Sequence, residues 1–89
     1  MKVKYFAFIR DYTGSKEICI ESCSTLRELL DKLCSRYGKR FREKLFAGER
    51  LSEDIIIMVN GRHIEHLNGI DTHLEENDEI SIFPKIAGG

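Results

Sequence analysis

The chain has 89 residues, a formal net charge of −1 and 42% hydrophobic residues, which suffices for one folded core. A near-neutral charge gives no general attraction to nucleic acid or to an anionic membrane, so we predict neither as a partner. No apolar run is long enough to span a membrane, no signal peptide precedes the first strand-like residues, and three cysteines fit a reducing compartment. We therefore expect one cytoplasmic domain over residues 1–89.

The first predicted element is a strand over residues 2–10. An apolar set alternates with a second set of mixed character: Val3, Tyr5, Ala7 and Ile9 against Lys2, Lys4, Phe6, Phe8 and Arg10. A period of two predicts that the apolar set faces the core. The opposite face would then place Phe6, Phe8 and Arg10 together as an apolar patch among charges, which is typical of a docking surface. A turn at 11–15 and a return strand at 16–21 complete a predicted hairpin.

The period then changes to that of a helix. Five apolar residues recur at helical spacing: Leu26, Leu29, Leu30, Leu33 and Tyr37. Thr25 and Glu28 match a capping box and Gly38 suits the position after the last turn, so we predict a helix over 25–37. Residues 39–50 mix basic and aromatic side chains, but Phe41 and Leu45 lie one helical turn apart. This favours a short helical connection with a solvated basic face over a nucleic-acid site.

The remaining strands follow in the second half of the chain. Residues 55–59 are uniformly apolar, which predicts a strand with both faces largely covered. Asn60-Gly61 indicates a hairpin to a short partner strand at 62–64, and residues 80–83 form the last strand, which we place centrally beside the first. The order predicts an α+β fold of the β-grasp, or ubiquitin-like, type: a small mixed sheet packed on one main helix.

The cysteines and histidines do not predict a metal site. Cys19 and Cys23 are separated from His63 and His66 by a longer gap than compact zinc sites have. Cys34 lies beside the leucine stripe, where a buried apolar role is simplest. We predict no bound metal and no bound cofactor.

The last residues carry the chemistry that the rest lacks. Pro84 is the only proline and is expected to end the strand, after which a flexible tail of about residues 85–89 finishes on Gly88-Gly89. A terminal carboxylate is an anion at neutral pH and could attack the α-phosphate of ATP to give an acyl-adenylate. Glycine would let the backbone pass through a narrow channel of another protein. An ordinary frayed end is the alternative.

Both ends of the chain resemble a known family. The segment 3–10 with Gly14, and the closing segment 74–89 with Phe83, Pro84 and the two glycines, are similar to the small, sulfur-carrying subunit of molybdopterin synthase, a MoaD/ThiS-type ubiquitin-like sulfur carrier. Lys85 replaces a second proline of that pattern and adds a charge near the partner's channel. By position, Phe6, Arg10, Phe83 and Pro84 match partner-facing residues, whereas the role of Phe8 depends on the strand pattern alone.

The resemblance implies a protein cosubstrate without an active site of its own. A partner adenylyltransferase related to ubiquitin-activating enzymes would use ATP to adenylate Gly89, and a sulfur donor protein would convert the adenylate to a thiocarboxylate. The large synthase subunit would then receive the tail, with sulfur passing to the dithiolene of the pterin cofactor. Three alternatives stay open: a sister carrier for thiamine-thiazole or another sulfur pathway, a ubiquitin-like modifier of lysines, and an interaction module with an incidental Gly-Gly.

Overall fold

A computed structural model describes residues 1–85, so the tail residues 86–89, including Gly88 and Gly89, lie outside the described part of the chain. Its strands and helices follow in chain order: β1 (Lys2–Tyr5), α1 (Ile9–Thr13), β2 (Glu17–Cys19), α2 (Leu26–Tyr37), α3 (Lys39–Leu45), β3 (Phe46–Ala47), β4 (Arg50–Leu51), β5 (Ile55–Val59), β6 (Arg62–His63) and β7 (Glu79–Pro84). Two short 3₁₀ turns, Ile64–His66 and Gly69–Asp71, lie between β6 and β7.

A five-stranded mixed sheet in the order β2-β1-β7-β5-β6 forms one layer. The last strand is central, as predicted: it runs parallel to β1, with Tyr5 opposite Ile82, and antiparallel to β5, with Ile57 opposite Ile82. Helix α2 packs across one face of this sheet, and β3 pairs with β4 in a separate small hairpin. The arrangement is the predicted β-grasp fold.

Helix α2 forms where the sequence signals it. The Thr25 hydroxyl accepts a hydrogen bond from the Glu28 amide at 3.3 Å, which satisfies one of the amide groups left open at a helix start. The Glu28 carboxylate in turn accepts from the Ser24 amide at 3.0 Å. Gly38 follows the last turn with φ of +94°, a conformation that favours glycine. The leucines of the stripe are all fully buried.

The core lies between α2 and the sheet. Its sheet side is the inward row of alternate strand residues, Val3 and Tyr5 on β1, Ile80 and Ile82 on β7, and Ile55, Ile57 and Val59 on β5. The predicted connection is confirmed as α3, whose Phe41 and Leu45 are buried against this core. None of the helices described in residues 1–85 is long and apolar enough to cross a membrane.

The first strand is shorter than predicted. It ends at Tyr5, and Ala7 has a φ of +52° and is exposed, so the alternation that continues through Arg10 is not a strand pattern. The chain turns and enters α1, where Ile9 returns to the core. Gly14, with φ of +72°, ends this short helix instead of forming a hairpin turn. The return strand β2 covers Glu17–Cys19 within the predicted 16–21.

Candidate functional site

The face of the sheet opposite α2 carries an apolar patch. Cross-strand neighbours on β1, β7 and β5 alternate away from the core, so Ser81 lies beside Met58 and Phe83 lies beside Ile56. A depression of about 340 Å³ is lined almost entirely by apolar atoms of six residues, Phe6, Ala7, Met58, Ser81, Phe83 and Pro84. We call these six residues the open-face patch. In residues 1–85 no helix covers it, because α2 occupies the other face.

Phe6 and Phe83 form the centre of the open-face patch. Their rings meet edge-to-face, with centroids 5.7 Å apart, and the Phe6 side chain is 37% exposed. The Phe6 amide also donates to the Ile82 carbonyl at 3.1 Å, which fixes the backbone of residue 6 to β7 just beyond the end of β1. Two of the sequence-predicted partner residues are therefore in direct contact.

Arg10 joins Phe6 by a route that the sequence did not suggest. Although Arg10 lies in α1 and not on β1, its Nε donates to the Tyr5 carbonyl at 2.8 Å. Its guanidinium lies 5.8 Å from the centroid of the Phe6 ring, within reach of a cation–π interaction. The positive charge thus stands at the rim of the open-face patch, where a partner would meet it.

Phe8 does not share that surface, and the predicted grouping of Phe6, Phe8 and Arg10 on one strand face is wrong. The turn at Ala7 sends Phe8 toward α3, where the Lys44 Nζ lies 4.6 Å from its ring centroid. Phe8 is 40% exposed and lines a different depression. Its predicted role depended on strand alternation alone, and that alternation ends before residue 7.

Met58 of β5 was missed as a member of the patch. The uniform apolarity of β5 predicted that both its faces are largely covered, and on the open face Ile56 and Met58 are partly buried. The signal was available, because one main helix can cover only one face of a sheet. In a uniformly apolar strand, the uncovered face must then present apolar side chains to solvent or to a partner.

The strand that leads to the tail is held on both sides. Pro84 is buried and pairs with Ile55, and the Lys85 amide donates to the Asp54 carbonyl at 2.7 Å. The Ile82 carbonyl points toward β1, where it accepts from the Phe6 amide. Backbone groups two residues apart in a strand point the same way, so the Pro84 nitrogen, which has no hydrogen to donate, also points toward the β1 side. There β1 has already ended, and proline costs no ladder hydrogen bond. Gly88 and Gly89 lie outside the described residues.

The titratable groups do not form a catalytic cluster in the described part of the chain. Burial, with a hydrogen bond to the Tyr37 hydroxyl at 3.1 Å, raises the pKa of Tyr5 far above its usual value. Burial also raises the pKa of Cys34, which fits the inert core role predicted for it. Within residues 1–85, no group of three or more His, Cys, Asp or Glu side chains could hold a metal ion.

Comparison with known proteins gives one family and a consistent set of relatives. The model of the ThiS family matches residues 3–89. Small archaeal modifier protein 3 from Haloferax volcanii is 30% identical over 91 residues, which cover 100% of this chain and 98% of that protein. A candidate sulfur carrier protein from Archaeoglobus fulgidus is 37% identical over 76 residues, which cover 85% of each chain.

A solved structure agrees with these relatives in fold and sequence. Subunit 1 of a candidate molybdopterin converting factor from Pyrococcus furiosus superposes with a TM-score of 0.77 and 34% sequence identity. The match covers 96% of this chain and 95% of that one. Similarity therefore extends over the whole β-grasp domain, including the strand that precedes the tail.

Proposed function

The chain belongs to the ThiS family of ubiquitin-like sulfur carriers and modifiers, and from that membership we propose that it carries sulfur on its C-terminal glycine for molybdopterin biosynthesis. In this role it is the small subunit of a molybdopterin synthase and a protein cosubstrate of the cytoplasm. The similarity to a candidate molybdopterin converting factor subunit supports the pterin as the acceptor.

One observation carries the proposal: the open-face patch lies directly beside the root of the tail. Phe83 belongs to the patch, and only Pro84 and Lys85 separate it from the residues that reach a partner's active site. A protein that binds Phe6 and Phe83 therefore receives residues 86–89 at the same time. Because β7 is paired on both sides, the root is fixed relative to the patch.

The chemistry follows in two displacements. In the activating partner, the Gly89 carboxylate attacks the α-phosphorus of ATP and pyrophosphate leaves. With hydrosulfide as the sulfur source, its sulfur attacks the acyl carbon, the bond to AMP breaks, and loss of the S–H proton gives the thiocarboxylate. A persulfide on a donor protein would first give an acyl disulfide, and a second thiol would then cleave its S–S bond, forming a disulfide with the donor and releasing the thiocarboxylate. The partner enzymes perform these steps, and this chain supplies the carboxylate, the docking surface and a tail whose two glycines have no Cβ to obstruct a channel.

Intact-mass spectrometry tests the proposal. With ATP, the cognate adenylyltransferase and a sulfur source, the mass of the chain should rise by the difference between sulfur and oxygen. The thiocarboxylate form, mixed with the large synthase subunit and the sulfur-free pterin precursor, should then form the dithiolene. A mass increase that persists after deletion of Gly89 would contradict the proposal, and dithiolene formation without the thiocarboxylate would remove the pterin as acceptor.

A second function is favoured by one relative. The similarity to small archaeal modifier protein 3 extends over the whole chain, so attachment of Gly89 to lysines of other proteins is the alternative. The same adenylate would serve both outcomes, because a lysine amine and a sulfur nucleophile attack the same acyl carbon. Mass spectrometry of lysates would distinguish them: a stable amide between Gly89 and a target lysine supports the modifier.

A further inference from the structure

A second surface lies on the helix side of the turn at Ala7. It is an open groove of about 680 Å³ between α1 and α3, and its walls combine aromatic rings with positive charges. The residues that matter here are Phe8, Tyr12, Lys39, Arg40 and Lys44, with Asp11 at the edge. We call this surface the basic groove. The sulfur-carrier chemistry proposed above makes no use of it.

Two cations of the basic groove are available to an incoming anion. The Lys44 Nζ lies 4.6 Å from the centroid of the Phe8 ring, and the Arg40 guanidinium lies 5.7 Å from that of Tyr12. Among residues 1–85, neither has a carboxylate within 4.0 Å, whereas Lys39 and Arg42 do. A cation over a ring keeps N–H donors free, so both can still donate to a carboxylate.

The walls of the groove fit a ligand that is both acidic and apolar. Among residues 1–85, Phe8 is one of two large apolar side chains that stay exposed, and the Lys44 ammonium lies over its ring. The seven residues of α3 make a helix about 10 Å long, which matches about three extended peptide residues. A short segment that alternates carboxylates with apolar side chains would satisfy the cations and cover the rings.

The chemistry favours protein over nucleic acid. Three cations line the groove and Asp11 opposes them, while a specific nucleic-acid complex typically uses about 6–10 phosphate contacts. The chain as a whole carries a formal charge of −1, so it has no general attraction for a polyanion. A partner protein with one acidic segment needs only the cations of Arg40 and Lys44 and the exposed Phe8 ring beside them.

The groove lies close to β7, the strand that leads to the tail, because α1, which forms one wall of the groove, contacts both α3 and β7. Phe8 is two residues from Phe6, whose amide is bonded to Ile82 near the end of β7. A protein that binds the open-face patch and accepts the tail therefore meets the groove at the same end of the sheet. The open-face patch and the basic groove lie on opposite sides of the turn at Ala7.

We propose that the basic groove binds an acidic, partly apolar segment of the adenylyltransferase that receives the tail. The segment's carboxylates pair with Arg40 and Lys44, and its apolar side chain packs on Phe8. This inference extends the proposed function, because the same partner would hold the chain at two surfaces. The groove would add affinity and salt dependence, while the patch and tail would carry the chemistry.

The first test uses a peptide in place of the partner. The probe is a synthetic Asp-Glu-Phe-Glu-Asp-Leu peptide with blocked ends, titrated into the isotope-labelled full chain while amide NMR shifts are followed. We expect shifts at Phe8, Tyr12, Arg40 and Lys44. In the double variant R40E/K44E the dissociation constant should rise at least about tenfold. R40Q/K44Q removes the two charges without reversing them, so its dissociation constant should lie between those of the parent and R40E/K44E. This variant also serves as a check in case the charge reversal disturbs folding.

A matched control reverses two cations at the opposite end of the sheet. Lys2 and Arg62 lie beside the start of β7, as shown by the pairing of Lys2 with Glu79 and of Val59 with Arg62. The variant K2E/R62E changes the net charge by the same amount and should bind the peptide like the parent. An equal loss of peptide affinity in both double variants would mean that the peptide responds to the overall charge of the chain, and it would overturn the proposed groove site. Selective binding there of a single-stranded oligonucleotide, with none of the peptide, would overturn it in favour of nucleic acid.

The second test separates the groove from the carrier function. Affinity for the cognate adenylyltransferase is measured over a salt series, and adenylation of Gly89 is followed in the same samples. R40E/K44E should bind at least about tenfold more weakly at low salt and lose most of the salt dependence. If R40E/K44E is adenylated normally and binds the adenylyltransferase like the parent, the proposed groove site is overturned and the sulfur-carrier function is not affected. Peptide binding at the groove without adenylation retains an acidic-segment site and overturns the carrier.

Discussion

The Phe6 ring meets the Phe83 ring at an interplanar angle of 86°, and this contact ties the end of β1 to the strand that leads to the tail. Such aromatic pairs contribute about 0.5–1.5 kcal/mol beyond the area they bury. Phe6 is thus part of the fold as well as of the proposed docking surface. A sequence-based view of Phe6 as fully solvated would have predicted almost no effect on stability.

Phe6→Ala should separate these two roles by magnitude. We expect the free energy of unfolding to fall by about 0.5–1.5 kcal/mol through loss of the ring pair, and further through loss of the apolar area that the ring covers. Affinity for the activating enzyme and the acceptor subunit should fall at least about tenfold, because a central aromatic anchor is removed. Urea titration and binding calorimetry measure the two. A large loss of stability with unchanged affinity would show that Phe6 has only a structural role.

Tyr5→Phe should change how stability depends on pH. Burial raises the pKa of Tyr5 in the folded state, so the phenol stays neutral there while the unfolded phenol ionises above about pH 10. The stabilisation is complete below that pH and is lost as pH rises toward the folded pKa. The variant should therefore lose less stability above pH 10 than the parent. At pH 7 it should lose about 0.5–1.5 kcal/mol with the bond to Tyr37.

The control for Tyr5 is Tyr12→Phe, since Tyr12 is only partly buried and has its ring beneath Arg40. Tyr12→Phe leaves the buried hydrogen bond between Tyr5 and Tyr37 intact, so a change seen in Tyr5→Phe and not in Tyr12→Phe is assigned to the buried hydroxyl. If Tyr5→Phe and the parent lost stability equally between pH 9 and pH 11, the buried hydroxyl would not be the source of the alkaline loss. Urea midpoints measured across that range decide the matter.

Thr25→Ala should destabilise the domain by about 1 kcal/mol, because the Glu28 amide loses its acceptor at the start of α2. Ser22→Ala, at an exposed position three residues earlier, is the matched control and should be neutral. Thermal unfolding followed by circular dichroism reports both. No difference between the two variants would mean that water replaces the cap without cost.

Gly88→Val tests the tail by function alone. The core described above is built from residues 3–82, so the unfolding midpoint should not move. If the tail passes through a narrow channel, the added side chain obstructs it, and adenylation or sulfur delivery should slow at least about tenfold, or roughly 1.4 kcal/mol. Gly88→Ala should give a smaller loss. Equal rates of ATP–pyrophosphate exchange and sulfur delivery in variant and parent would rule out threading.

The sequence predicted the elements whose signals are local and repeated. Five apolar positions and two caps define α2, and Asn60-Gly61 defines the hairpin between β5 and β6, where Asn60 has φ of +52°. The central place of β7 followed from the β-grasp order. The short hairpin of β3 and β4 was missed, although Gly48, which has a φ of +68° between Ala47 and Glu49, is a turn signal.

The site was predictable only in part, because its geometry depends on a turn at Ala7, a residue type that does not indicate a turn. Ala7 adopts a positive φ with no neighbouring glycine or proline to indicate it, so the alternation from Val3 to Arg10 reads as one strand. Two interactions stabilise the turn: the burial of Ile9 in the core and the hydrogen bond from Arg10 to the Tyr5 carbonyl. Neither can be recognised from the alternation of apolar and polar residues. Phe6 was therefore placed correctly and Phe8 was not.

The pairing of β1 with β7 has a consequence for how a partner selects its cargo. Phe6 comes from the beginning of the chain and Phe83 from near its end, so their surface does not exist in an unfolded or half-synthesised chain. Parallel pairing of segments so distant in the sequence is intrinsically slow to form, because the entropy of closing the long loop between them must be lost first. An enzyme that must bind this surface before it consumes ATP would therefore act only on folded chains. It would not adenylate an unfolded chain, even one that ends in Gly-Gly.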